Sequence, residues 1–430
     1  MRRFLLLLAG GLLLAGGLRA QSDGPDEVKL AVIVTRHGVR PPLYDNAALE
    51  PFSAQPWPKW DAPIKFLTPH GRRGMVLMGG YYRELYVREG LLTGRAEEDA
   101  RRIYFWSDSD QRTIETGHAL AEGLAPGAAI AIHGRAQDQP DAVFTPTKLK
   151  LGHPSLALGQ AALLGRIGGN VSAIVPAQRA NFDLLERVLF GGDGAPPAGK
   201  RALLSLPFAM NPGAAEVLDL EGPLHKAEQL TDDLLLEYAE GMPMAQVGWG
   251  RMSRADLTRL LELHETYFDL TQRTFYPAQA QASNLASHLL NTMERRAGTA
   301  TGGAFGPAGP RLVVLVGHDT NQANLGGLLG LNWQLPGTQP NPLLPGGALV
   351  FELRRHGEAG AWFVRIFYVS QSLEQTRDLT PLSLRQPPQT APIFVPGGSV
   401  EDPGYELPFE KFEALVRQRI GPQFVAPENY

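Results

Sequence analysis

Arg36-His37-Gly38-Val39-Arg40 sets one imidazole between two guanidinium groups. Such crowding of positive charge is uncomfortable unless an anion sits among the side chains. Arginine forks match phosphate oxygens two at a time. A histidine kept neutral by a hydrogen bond from its other ring nitrogen can attack phosphorus in line. On this reading His37 is a nucleophile, and Arg36 and Arg40 bind phosphate. Taken alone, the segment is equally a surface turn with solvated arginines.

Gly317-His318-Asp319-Thr320 offers the complementary chemistry. An Asp-Thr pair can simply cap a helix. It can also supply a general acid, because an alkoxide departs poorly unless protonated. His318 then becomes a further phosphate ligand and Asp319 the proton donor. That role requires a protonated carboxyl when substrate binds, from acidic pH or from a pKa raised by the arriving phosphate. A third segment, Asp108-Ser109-Asp110-Gln111-Arg112-Thr113, would add the Arg112 guanidinium.

All three segments follow runs that read as strands. Residues 29–35 and 312–316 are short, continuous and β-branched, the pattern of strands buried on both faces, with 102–106 as a weaker third. Thr68-Pro69 reads as a helix start, and 112–124 keeps helical spacing. Ligands in open α/β sheets bind beyond the carboxyl ends of the strands, where these segments lie. Residues 348–353 and 362–369 read as an antiparallel hairpin on the same sheet. Between 154 and 284 the pattern is helical without a convincing buried strand, clearest at 230–240 and 253–273. The expected fold class is therefore α/β, a central mixed sheet flanked by helices with a mostly α-helical insertion. The α/β domain is expected over 24–150 and 285–430, and the helical domain over 151–284.

Residues 1–20 have a basic head, an apolar stretch and Arg19-Ala20 before a polar segment, the layout of a cleavable signal peptide. Export to a periplasm or medium is expected. Losing Arg2, Arg3 and Arg19 would leave 37 basic residues against 44 acidic ones, a net charge near −7. A negative field gives no support for nucleic-acid binding. No other stretch is apolar and long enough to cross a bilayer, so no membrane partner is expected after cleavage. The absence of cysteine excludes disulfides, thiol nucleophiles and thiolate-bound metals. No Gly-x-Ser-x-Gly elbow supports a serine hydrolase. The other histidines, including His70, His118, His133 and His264, show no metal-ligand spacing and read as structural or solvated.

Arg36 to Pro42 together with His318-Asp319 resemble the histidine acid phosphatases, a clade of the histidine phosphatase superfamily that includes bacterial phytases and glucose-1-phosphatase. The likeness continues through Leu67-Thr-Pro-His-Gly71, Asp110-Gln-Arg-Thr113, Gly248-Trp-Gly250, His318-Asp-Thr-Asn321 and Pro345-Gly-Gly347. It implies a phosphoglycerate-mutase-like sheet with a helical domain over the site, and hydrolysis of a small phosphate monoester without metal or other cofactor. Residue by residue it implies a phosphohistidine on His37, phosphate binding by Arg36, Arg40, Arg112 and His318, and proton donation by Asp319.

Leu43-Tyr44 after the motif resembles the glucose-1-phosphatase style, as does Met242 to Val247, whereas Asn324 to Gly327 and Asn332 to Gly337 are similar to phytases. Glutamines at 279 and 281 stand where arginine would help hold a polyphosphorylated ring. Fewer cations should favour a singly phosphorylated substrate. Asp232 is a candidate contact to the sugar or inositol, or else an exposed helix charge. Two rivals share the residues: a phosphotransferase or mutase using the same histidine, and an exported protein that binds phosphate esters without cleaving them. Oligomeric state is not legible.

Overall fold

The computed structural model describes residues 26–299, 302–357, 360–401, 404–428 and 430. The expected signal peptide lies outside the described residues. At the centre stands β1 (Glu27–Arg36), where Ala31, Val32, Ile33 and Val34 are fully buried. It pairs in parallel with β6 (Leu312–Gly317) on one side and antiparallel with β7 (Ala348–Arg355) on the other. Beyond β6 lie β2 (Ile103–Ser107) and the short edge strand β3 (Ile132–Gly134), both parallel to it. Beyond β7 comes β8 (Trp362–Ser370), flanked by β9 (Gln389–Pro392) and β10 (Leu407–Pro408), all antiparallel. Among the described residues the sheet has eight strands, mixed as expected.

Alternation along β1 feeds two cores. Leu30, Val32 and Val34 join the apolar cluster that continues into the helical region, while Val28, Ala31 and Ile33 face α1 (Pro69–Arg88) and α2 (Gln111–Leu124). Strands that bury side chains on both faces must be apolar throughout, which is what made them legible. Thr68 caps α1 by accepting the Gly71 amide at 2.8 Å, and Pro69 takes the first helical position.

The helical region contains α3 (Leu156–Arg166), α4 (Arg179–Phe190), α5 (Pro223–Ala239) and α6 (Arg254–Thr271), of which α5 and α6 meet the residues that follow β1 and β6. Ser253 and Asp256 form a reciprocal capping box for α6. Helix α5 starts seven residues before the expected 230, because Pro223 opens it and Leu224 and Ala227 extend its buried face. A two-stranded ribbon, β4 (Ala209–Asn211) with β5 (Asp219–Glu221), is the non-helical part of this mostly helical region. Strands of three residues are too short to leave a period. Helix α7 (Phe275–Ala297) runs through residue 284 without a break, and α8 (Asp319–Leu329) and α9 (Phe409–Arg419) complete the main helices.

Helices α1 and α2 touch backbone to backbone. A Cβ on Gly123 would lie 2.2 Å from the Val76 carbonyl oxygen, and one on Gly79 would lie 2.4 Å from that of Leu120. Gly123→Ala should therefore destabilise by about 1–3 kcal/mol, overpacking outweighing alanine's better helix propensity. Urea denaturation measures this; a midpoint equal to or above wild type would contradict the close contact.

Candidate active site

Sheet register brings the three chemical segments together. Arg36 pairs with Gly317 and Ser107 with Val316, so all three strands end at one level. The His37 amide donates to the Gly317 carbonyl at 3.0 Å, and the Asp108 amide to that of Val316 at 2.9 Å. His37, His318 and Asp108 thus leave neighbouring strand ends. The rings of His37 and His318 lie 5.6 Å apart, nearly perpendicular.

His37 Nδ1 sits 2.8 Å from its own neighbour's carbonyl, Gly38. That contact places the ring proton on Nδ1 and leaves Nε2 with its lone pair. Burial, reinforced by Arg112, Arg40 and Arg36, holds the imidazole well below its usual pKa. A neutral histidine in acid is what a nucleophile requires.

Arg36 is fully buried. One of its nitrogens donates to the Leu343 carbonyl; the other lies 2.9 Å from Asp232 Oδ1 and 3.0 Å from Asp319 Oδ2. Arg40 Nη2 meets Asp232 Oδ2 at 3.0 Å. Arg112 is paired with Asp110 at 2.8 Å, and its Nη2 is 3.4 Å from His318 Nδ1. All three arginines keep a buried Nε–H without a hydrogen-bond partner. Unmade hydrogen bonds of charged groups are costly, and an anion among them would satisfy all three.

Asp232 is not the exposed helix charge that was one expectation. It is 5% exposed and divides its two oxygens between Arg36 and Arg40. Burial alone would raise its pKa, but the two arginines hold it far below the carboxylate range. Asp319 follows the same logic more weakly: burial raises it, Arg36 with His264 and Arg40 together outweigh that, and the carboxyl is ionised. Asp108, unassigned from sequence, lies 2.7 Å from His318 Nε2 and fixes that ring's tautomer. A carboxylate directly after a strand beside a candidate arginine was the signal that could have found it.

Asp108, Asp110 and His318 bring donor atoms within 4.8 Å, the group among the described residues that could hold a metal. These donors are engaged with one another and with Arg112.

Beyond the arginines opens a cavity of about 250 Å³ that Leu43, Tyr44, Asp232 and Asp319 all line. Its far wall comes from α5, α6 and the ribbon, including Glu216, Asp219, His225 and Glu228. The sequence carried no clue to this wall, since isolated acidic residues on helices look solvated. Gln279 and Gln281 do not line it. Gln279 donates to the Arg419 carbonyl, and Gln281 stands one layer back, donating to Gln272 at 3.0 Å. His264 is structural: buried, stacked on Phe268, and 3.7 and 3.5 Å from Glu228 and Glu265.

Comparison with known proteins agrees with this geometry. The family model of the histidine phosphatase superfamily (branch 2) matches residues 27–161 and 224–369. The chain is similar to phytase AppA of Escherichia coli (strain K12), with 35% identity over 88% of each chain. It is also similar to the glucose-1-phosphatase of Salmonella typhimurium (strain LT2), with 29% identity over 95% of this chain and 97% of that one. The solved structure of Hafnia alvei phytase in complex with tartrate superposes with a TM-score of 0.86 at 32% identity, covering 94% of this chain and 99% of that chain.

Electrostatics of this region predict how stability varies with pH. Glu237, 1% exposed, accepts the Gly248 amide at 3.1 Å and is pushed up to about 8 by burial. Burial likewise raises Glu228 and Glu240 to about 7. Burial lowers His264, but Glu265 and Glu228 prevail and raise it to about 9. Above pH 6.5 the unfolded chain has released these protons and the native protein has not, so stability falls as pH rises to 9. Denaturation midpoints should be lower at pH 8.5 than at 6.5, and Glu237→Gln should flatten the slope. A higher midpoint at 8.5 would reverse the assignment.

Proposed function

The chain belongs to branch 2 of the histidine phosphatase superfamily and hydrolyses phosphate monoesters, and on that premise we propose how its own residues divide the work. Phosphate sits among Arg36, Arg40, Arg112 and His318, and the guanidinium charge and N–H groups stabilise the three non-bridging oxygens. His37 Nε2 attacks phosphorus opposite the ester oxygen. The N–P bond forms as the P–O bond to the leaving group breaks, and Asp319 delivers a proton to that oxygen. Water, giving its proton back to Asp319, then releases phosphate from His37. The observation that carries this reading is the set of three buried guanidiniums, each with an unpartnered Nε–H, around a neutral His37 whose Nε2 is free.

Asp319 is ionised when paired to Arg36, so its proton must arrive with substrate. A phosphate monoanion carries one, because the second ionisation of a phosphate ester lies near about 6. The dianionic group in turn draws on Arg36 and frees Asp319 to accept the proton. Acid chemistry follows from the pairing itself.

The substrate is a singly phosphorylated sugar or similar small alcohol ester, with phytate hydrolysed less well. Leu43 and Tyr44 line the cavity, whose cationic residues are limited to Arg40 and His225. Relatives include both a phytase and a glucose-1-phosphatase, so the names alone do not discriminate. The helical region 151–284 is a domain inserted between 24–150 and 285–430; the family model leaves residues 162–223 of it unmatched, and its second boundary falls within the helix Phe275–Ala297. The enzyme is exported through residues 1–20, and no helix among the described residues is long and apolar enough to cross a membrane.

His37→Ala should abolish phosphate release. Asp319→Asn should slow alkyl phosphates by about 10²–10⁴-fold while p-nitrophenyl phosphate, whose leaving group needs no proton, loses far less. Equal losses on both substrates would remove Asp319 from the acid role. For alkyl esters the rate should fall above about pH 6 as the substrate monoanion disappears. Chelators should leave the rate unchanged; restoration of activity only by added metal would refute the metal-free mechanism. A comparison of phytate with glucose 1-phosphate decides the substrate class.

A further inference from the structure

The cavity beyond the phosphate site receives the leaving group, and its charge is unusual for an enzyme of anionic esters. Six carboxyls line it, Glu216, Asp219, Glu228, Asp232, Asp233 and Asp319, against the cations Arg40 and His225. Arg36 and Arg40 neutralise Asp232 and Asp319, which belong to the phosphate end. His225 pairs with Asp219 at 2.9 Å, and His264 lies 3.7 Å from Glu228. Glu216 and Asp233 are left without an ion pair to any cation of the site. Asp233 is 4% exposed, and its Oδ2 makes no hydrogen bond. Burial and the neighbouring Asp232 push its carboxyl well above the usual range, and burial raises Glu216 as well. The ammonium of Lys226, one turn before Leu230 on α5, acts on Asp233 through space but forms no ion pair with it. It bonds to Gln229 at 2.6 Å and lies over the rings of Tyr44 and Phe52.

Aromatic faces complete the same cavity. Tyr44, Tyr267 and Phe268 line it, and Tyr267 is held by a hydrogen bond to Asp219 at 3.0 Å. Ring faces beside carboxylates attract cations, as Tyr44 already attracts Lys226. At about 250 Å³ the space is small beside ordinary ligand pockets of about 300–1,000 Å³.

We propose that the leaving-group cavity selects a small alcohol bearing an ammonium group, an amino alcohol or amino sugar monophosphate, with the carboxyls of Asp233 and Glu216 as its partners. This rests on the monoester-hydrolase reading and narrows its substrate class. A second phosphate on the leaving group would find no cation there beyond His225, whereas an ammonium would favour ionisation of these carboxyls and pair with them.

Isosteric pairs that differ only in amine against hydroxyl test it. At pH 6.5, kcat/KM is compared for glucosamine 6-phosphate against glucose 6-phosphate, and for phosphoethanolamine against 2-hydroxyethyl phosphate. The amine should be preferred roughly tenfold in both pairs, the size of one hydrogen bond to a charged group. Asp233→Asn and, separately, the more exposed Glu216→Gln should each bring that ratio toward one. A ratio of one or below in the wild type would overturn the proposal, as would a ratio that neither substitution changes. Release of p-nitrophenol from p-nitrophenyl phosphate is followed in parallel. If it continues while the amine preference is missing, the cavity assignment is wrong; if it too is absent, the hydrolase reading falls first.

Discussion

Two guanidinium groups buried beside an imidazole that must stay neutral cannot persist without a counter-charge, and Asp232 provides it for both. Removing ions from water costs several kcal/mol each, and only close pairing offsets it. Each oxygen of Asp232 takes one arginine, which holds the two forks apart at a fixed spacing. The carboxylate comes from α5, almost two hundred residues along the chain from the strand that carries the arginines. Docking of the helical region and assembly of the anion site are thus one event. The next residue, Asp233, has the same side chain and the opposite state, because burial and the neighbouring Asp232 outweigh the more distant Arg40 and no guanidinium pairs with it.

Everything else at the site is arranged by rigid backbone. The ladders between β1, β6 and β2 set their carboxyl ends level, so His37, His318 and Asp108 are positioned by register rather than by mobile loops. One contact then finishes each ring: the Gly38 carbonyl orients His37, and the Asp108 carboxylate orients His318. Arg36 has a double duty. It belongs to the phosphate cradle and also keeps Asp319 ionised, so phosphate binding and proton loading compete for one cation. Chemistry that needs a protonated acid is therefore coupled to the charge of the substrate itself.

The same balance explains why the far cavity matters for selectivity. The phosphate end gathers guanidinium groups that Asp232 balances; the leaving-group end is lined by carboxyls, two of which face His225 and His264. A leaving group with an ammonium suits that lining better than one that carries a second phosphate.

By itself the sequence determined the parts that depend on local rules. Continuous β-branched runs marked β1 and β6, Thr68-Pro69 marked the start of α1, and the two histidine motifs marked strand ends where ligands bind. Those signals survive without a fold because burial on both faces and helix capping act within a few residues. Tertiary structure alone decided which charges meet. Asp232 reads as a solvated helix residue until α5 brings it to Arg36 and Arg40, and Glu216 and Asp233 carry no motif at all. Glutamines 279 and 281 looked like cavity residues and proved to face elsewhere. Electrostatic pairing depends on distances through space between remote segments, and no periodicity in the chain encodes them.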